Sequence, residues 1–253
     1  MEQAKAKLIV ALDVETAARA RELVEQLQDS VGMFKIGLQL FTAAGPGIVR
    51  ELADIGVPIF LDLKFHDIPQ TVARAGTEAA RLGVFMFNVH AAGGGEMMRR
   101  TIEAVNETAE KEGRSPTKVI GVTVLTSLDQ SALTKTGVMN TPLEQVLRLA
   151  ELAQNSGLQG VVSSAVEAAA VRRITGKSFL LVTPGVRPAG AGHDDQARVF
   201  TPGAAIEATS DYLVVGRPIT DAPNPVHAAH LIVEEIKRAL DGSDEHNFAR
   251  SGR

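Results

Sequence analysis

Along the chain, short runs of apolar and β-branched residues alternate with longer stretches whose apolar positions recur every three or four residues. This alternation predicts parallel βα units. Eight runs read as strands: Leu8 to Leu12, Met33 to Gly37, Pro58 to Leu63, Phe85 to Val89, Val119 to Leu125, Gly160 to Ser163, Phe179 to Val182 and Tyr212 to Val215. Most are apolar at successive positions, as strands covered on both faces must be. The amphipathic stretches between them, such as Ala17 to Gln28, Gln70 to Leu82, Gly95 to Lys111, Leu143 to Asn155 and Val226 to Leu240, predict helices. Eight repeats in 253 residues match the count and size of a single (β/α)8 TIM barrel, eight parallel strands with outer helices. An open doubly wound sheet is the competing architecture, but no Gly-x-Gly-x-x-Gly fingerprint follows the first strand. The barrel domain is expected over 1–240, and the polar, Gly- and Ser-containing stretch 241–253 reads as a flexible tail.

Barrel active sites form at the carboxyl ends of the strands, and here nearly every strand ends in a polar group. Asp13 follows the first run, Lys35 lies in the second, Asp62 and Lys64 end the third, and His90 follows the fourth. Thr126 follows the fifth, Ser163 and Ser164 the sixth, Arg187 the seventh, and Gly216-Arg217 the eighth. Asp62 and Lys64 stand two apart on one strand, so their side chains project to the same side. An acid and an amine sharing the end of a core strand are costly to desolvate unless paired, which fits either a catalytic centre or a structural ion pair. Asp13 and Lys35 leave the same two readings open. Asp67 fits a catalytic position and equally an N-cap, since Asp67-Ile-Pro-Gln70 carries a capping-box Gln and an early proline. His66 and His90 read as hydrogen-bonded structural residues, because no nucleophile or metal spacing accompanies them.

Two later segments suggest a phosphate site. Thr183-Pro-Gly-Val-Arg187 and Gly216-Arg-Pro218 follow the seventh and eighth strands, where barrels commonly bind phosphate through loop amides. Glycine lets the backbone approach, and an arginine fork matches phosphate oxygens. Between Arg187 and Pro202 the chain lacks apolar periodicity and reads as a long loop, hence a candidate lid carrying Gln196. The Gly93-Gly-Gly95 run lacks a following Lys-Ser/Thr and is no P-loop.

Charge and composition narrow the partners. A net charge of -4 argues against nucleic acid and anionic membrane, while clustered cations can still hold a small anion. The absence of cysteine removes disulfides, thiolate nucleophiles and cysteine-ligated metals. The apolar run before Asp13 is too short for a signal h-region or a membrane span, so a soluble cytoplasmic protein is expected.

Taken in order, Val10-Ala-Leu-Asp13, Lys35-Ile-Gly37, Asp62-Leu-Lys-Phe-His-Asp-Ile-Pro69, Asn88-Val-His-Ala91, Thr123-Val-Leu-Thr-Ser127, Thr183-Pro-Gly-Val-Arg187 and Val214-Val-Gly-Arg-Pro218 carry a resemblance. The chain resembles the prokaryotic orotidine 5'-phosphate decarboxylase family along nearly its whole length. The Asp-x-Lys-x-x-Asp element alone is shared with sister phosphate-sugar barrels, whereas its combination with the ordered loop motifs is specific. The resemblance implies decarboxylation of orotidine 5'-phosphate in de novo pyrimidine biosynthesis, with neither metal nor organic cofactor. It implies Lys64 as proton donor within an alternating array of Lys35, Asp62, Lys64 and Asp67. Asp13 and Lys35 would then hold ribose hydroxyls, Thr126 the pyrimidine, and Arg187, Gln196, Gly216 and Arg217 the phosphate. It also implies a homodimer in which Asp67, Ile68 and Thr71 reach across the interface. A metal-dependent sugar-phosphate decarboxylase or synthase of the same superfamily and a non-catalytic nucleotide-binding barrel are the competing readings.

Overall fold

The eight apolar runs fold as eight parallel strands that close on one another in sequence order. In the computed structural model, which describes residues 1–188 and 200–251 and those from 243 onward as backbone, the barrel is sealed by the pairing of the first and eighth strands, Leu8 against Leu213. The order is α1 (Glu2–Lys5), β1 (Leu8–Ala11), α2 (Ala17–Leu27), β2 (Met33–Gly37), α3 (Leu38–Ala44), α4 (Pro46–Asp54), β3 (Ile59–Phe65), α5 (Pro69–Arg81) and β4 (Met86–His90). A short 3-10 turn leads to α6 (Gly95–Glu112), β5 (Lys118–Val122), α7 (Gln130–Lys135), α8 (Pro142–Asn155), β6 (Gly160–Val162), α9 (Ala165–Thr175) and β7 (Leu180–Pro184). The described chain then continues with α10 (Pro202–Glu207), β8 (Tyr212–Val215), α11 (Arg217–Thr220) and α12 (Pro225–Ser251).

Period-two alternation along the strands divides the core in two. Ile9, Met33, Phe60, Met86, Ile120, Val182 and Val214 fill the barrel interior. Their strand neighbours Val10, Phe34, Leu61, Phe87, Val119, Leu181 and Leu213 pack outward against the helices. Each such fully buried side chain contributes about 1.5–3 kcal/mol by leaving water. Helix ends follow local rules: Thr16 caps α2 by accepting from the Arg19 amide, Thr141 and Glu144 form a reciprocal capping box on α8, and Gly113 ends α6 in the left-handed region.

Several boundaries differ from the pattern reading. Strand β5 stops at Val122, although the apolar run continues to Leu125, because Val124 and Leu125 line a cavity instead of extending the ladder. Asp67 does not cap α5; Ile68 occupies the N-cap position, and among the described residues the Asp67 carboxylate accepts only from the adjoining Ile68 amide at 2.6 Å. The apolar pattern of the last helix predicts an end at Leu240. Its backbone instead stays helical through Ser251, since no proline interrupts it and Asp241 ion-pairs with Lys237 one turn back. No helix among the described residues is long and apolar enough to cross a membrane.

Candidate active site

Continuing the interior-facing positions of β2, β3 and β4 by two residues replaces Met33, Phe60 and Met86 with Lys35, Asp62 and Asn88. The filled barrel thus becomes a polar floor at its carboxyl end. Lys35 donates to Asp13 Oδ1 at 2.9 Å and stands 3.3 Å from Asp62 Oδ2. Lys64 donates to Asp62 Oδ1 at 2.7 Å. Two ammoniums and two carboxylates therefore alternate from Asp13 through Lys35 and Asp62 to Lys64. Lys35 and Asp62 are buried, Lys64 is partly exposed and Asp13 is exposed, so the array runs from the barrel interior to its mouth.

Burial by itself would raise the Asp62 carboxyl, but the Lys35 and Lys64 ammoniums, with hydrogen bonds from Lys64 and Asn88, outweigh it and hold Asp62 below the usual carboxylate range. Asp62 is thus an anion that keeps both amines paired. Burial, followed by the neighbouring His66 and Lys64, pushes the His90 imidazole below its ordinary value against the opposing pull of Asp62. The His66 and His90 rings meet at a tilt of 41° with centroids 5.3 Å apart.

Two connected spaces open above this floor. A cavity of about 190 Å³, lined by Phe60, Asp62, Lys64, Val122, Leu125, Thr126 and Ser163 among others, is mostly apolar. Within it the buried Ser163 hydroxyl has no hydrogen-bond partner among the described residues. A wider cleft of about 630 Å³ joins Asp13, Lys35, Asp62 and Lys64 to Gly185, Arg187, Gly216 and Arg217. The arginine end and the charged floor thus share one cleft large enough for a small ligand. Arg187 is held in place as its backbone N–H donates to Phe200 across the base of the long segment, at 3.0 Å.

The structure therefore gathers Asp13, Lys35, Asp62, Lys64, Thr126, Arg187, Gly216 and Arg217 around one opening. Asp67, Ile68 and Thr71 lie apart, exposed on the rim where β3 passes into α5, and line neither space. Gln196, expected in the lid, lies outside the described residues. Sequence reasoning missed Gly37, where a side-chain carbon would lie 2.9 Å from both Asp13 Oδ1 and Lys35 Nζ. It assigned no role to Asn88, whose signal was a lone amide in the middle of the apolar strand Met86–His90. Among the described residues no three His, Asp or Glu side chains converge as metal ligands.

Comparison with known proteins decides the family. The model of the Orotidine 5'-phosphate decarboxylase / HUMPS family matches residues 6–232. The chain belongs to this family. An orotidine 5'-phosphate decarboxylase of Geobacter sulfurreducens is 52% identical over 235 residues, covering 93% of this chain and 98% of the relative. One from Syntrophotalea carbinolica is 53% identical over 239 residues, with 94% and 98% covered. The crystal structure of orotidine 5'-phosphate decarboxylase from Lactobacillus acidophilus superposes with a TM-score of 0.80 at 37% identity, over 90% of this chain and 98% of that one. Its barrel is thus shared with the orotidine 5'-phosphate decarboxylase family in both sequence and shape.

Proposed function

We propose that this chain is a carboxy-lyase that converts orotidine 5'-phosphate into uridine 5'-phosphate and CO2, a step of pyrimidine biosynthesis, with Lys64 delivering the proton. The observation that carries the reading is the Lys64 ammonium, paired at 2.7 Å with an Asp62 held as an anion, at the mouth of a cleft that ends in two arginines.

Breaking the bond between C6 of the pyrimidine and its carboxyl group leaves an electron pair on C6, in the ring plane and outside the π system. That localised charge needs an adjacent cation. Lys64 stabilises the forming carbanion and then transfers a proton from Nζ to C6, and the resulting neutral amine regains its proton from solvent. Asp62 lies beside the departing carboxylate and disfavours the ground state. Its share is small: like charges at about 4 Å and an effective dielectric near 20 repel by about 4 kcal/mol, whereas the slowest uncatalysed reactions require about 20 kcal/mol or more of barrier reduction. Most of the reduction falls to charge stabilisation at Lys64 and to phosphate binding energy used to organise the site.

In this reading Asp13 and Lys35 hold ribose hydroxyls, and Thr126, with the unpartnered Ser163 hydroxyl beside it, meets the pyrimidine edge. Arg187, Gly216 and Arg217 take the phosphate, with Gln196 from the long segment. Asp67, Ile68 and Thr71, exposed on the rim of their own chain, complete the site of a second copy in a homodimer. The reading calls for no metal or organic cofactor.

Protein treated with a chelator and supplied with orotidine 5'-phosphate is expected to release CO2 at the untreated rate. Lys64→Ala is expected to abolish release while still binding uridine 5'-phosphate. Loss of turnover on chelation would favour a metal-dependent sister barrel, a parent protein that binds the nucleotide without turnover would be a non-catalytic barrel, and CO2 release by Lys64→Ala would remove that amine from its role.

A further inference from the structure

The β3 and β4 ladder breaks where the chemistry begins. Leu61 pairs with Phe87 and Phe65 with Val89, so Asp62, Leu63 and Lys64 face a single residue, Asn88. A bulge of this kind lifts backbone groups off the ladder, and a buried N–H left without a partner is rarely tolerated. Lys64 also sits at φ +52°, in the left-handed region that side chains with a Cβ seldom occupy. Both irregularities meet at one side chain. The Lys64 N–H donates to Asn88 Oδ1 at 2.8 Å, and Asn88 Nδ2 donates to Asp62 Oδ1 at 2.7 Å.

We propose that Asn88 is a positioning residue whose carboxamide holds the Lys64 backbone in its left-handed turn and aims the Asp62 carboxylate between the two lysines. The inference rests on the decarboxylase reading. The chemistry of the partners fixes the orientation of the amide: a backbone N–H only donates, so it faces the oxygen, and an ionised carboxylate only accepts, so it faces the nitrogen. Asn88 is 1% exposed, so water does not replace it. Asp62 Oδ1 therefore receives one hydrogen bond from the amine that reacts and one from a neutral donor anchored in the neighbouring strand. A carboxylate at position 88 would keep the acceptor for Lys64 N–H but set two anions together. A hydrocarbon of similar size would leave the Lys64 N–H unsatisfied.

Three variants separate these functions. Asn88→Ala is expected to lower kcat for CO2 release by about 100-fold, the scale of a displaced catalytic group, with KM and uridine 5'-phosphate affinity within about threefold of the parent. Asn88→Asp, equal in size and able to accept from Lys64, is expected to shift the acid limb of kcat upward by about one pH unit, because a second carboxylate raises the pKa of its neighbour. The other ionisable groups near Asp62 are Lys35 and, through it, Asp13, with Lys64, His66 and His90; all are unchanged in this variant. Asn88→Gln, which keeps the amide but lengthens its arm, is expected to recover part of the kcat lost in Asn88→Ala. If Asn88→Ala fails to fold, the pH profile of Asn88→Asp decides. The proposal is overturned if kcat of Asn88→Ala stays within about threefold of the parent, if kcat and nucleotide affinity fall together by the same factor, or if the Asn88→Asp profile matches the parental one. A parent that releases no CO2 would overturn the decarboxylase reading and this inference with it; an active parent beside an unimpaired Asn88→Ala overturns the inference alone.

Discussion

A methyl group at position 37 would lie 2.9 Å from the Asp13 carboxylate and from the Lys35 ammonium, so the absence of a side chain there is what lets the pair close. Neither neighbour is backbone, and both can move. Gly37→Ala should accordingly fold with a melting temperature close to the parent while lowering kcat/KM by about tenfold or more, because the displaced atoms belong to the array itself. Thermal melting and steady-state kinetics on one preparation check this; a variant with parental kcat/KM would show that the pair tolerates displacement. Asp62 and Lys64 were legible as a pair because a spacing of two on a strand places them on one side. Asn88 was legible only as an oddity, a polar residue in an apolar strand, since its partners lie 24 and 26 positions earlier in the chain. Asp67 carried two local readings, and the structure removes the cap: the helix begins one residue too late for its carboxylate to reach an orphan amide.

Elements were easiest to read in their middles. Strand β2 has the boundaries its apolar run predicts, and β8 likewise, whereas β5 ends early because cavity walls and strands draw on the same residue types. Strand β4 ends in the His90 imidazole, and this group ties stability to pH. The folded His90 titrates below its ordinary value near 6.5. Below about pH 6.5 the unfolded chain therefore binds a proton that the folded chain does not, and stability falls as pH drops through that window. His90→Gln is expected to flatten the pH dependence of the urea midpoint just below pH 6.5. An unchanged slope would place the titrating group elsewhere. Asp62 acts lower, in the carboxylate range: its depressed pKa contributes stability that is present above about pH 4 and is lost as pH falls further.

At the scale of the whole molecule, the proposed homodimer has Asp67, Ile68 and Thr71 complete the site of a second copy, and mixing tests this directly. Lys64→Ala and Asp67→Ala are each expected to be inactive alone. Random reassembly of equal amounts should restore about a quarter of parental activity, because half of the dimers are mixed and each mixed dimer regains one intact site. No recovery in a mixture shown to contain mixed dimers would mean that each chain builds its site alone. By itself the sequence determined the eightfold βα alternation, the polar strand ends and the shared side of Asp62 and Lys64, because hydrophobic periodicity and strand spacing are local properties of the chain. The closing pair of β1 with β8, the bulge opposite Asn88, the space kept by Gly37 and the single cleft joining Lys64 to Arg187 and Arg217 were decided only in three dimensions. Each depends on residues brought together from distant strands, and their contacts exist only once the barrel has closed.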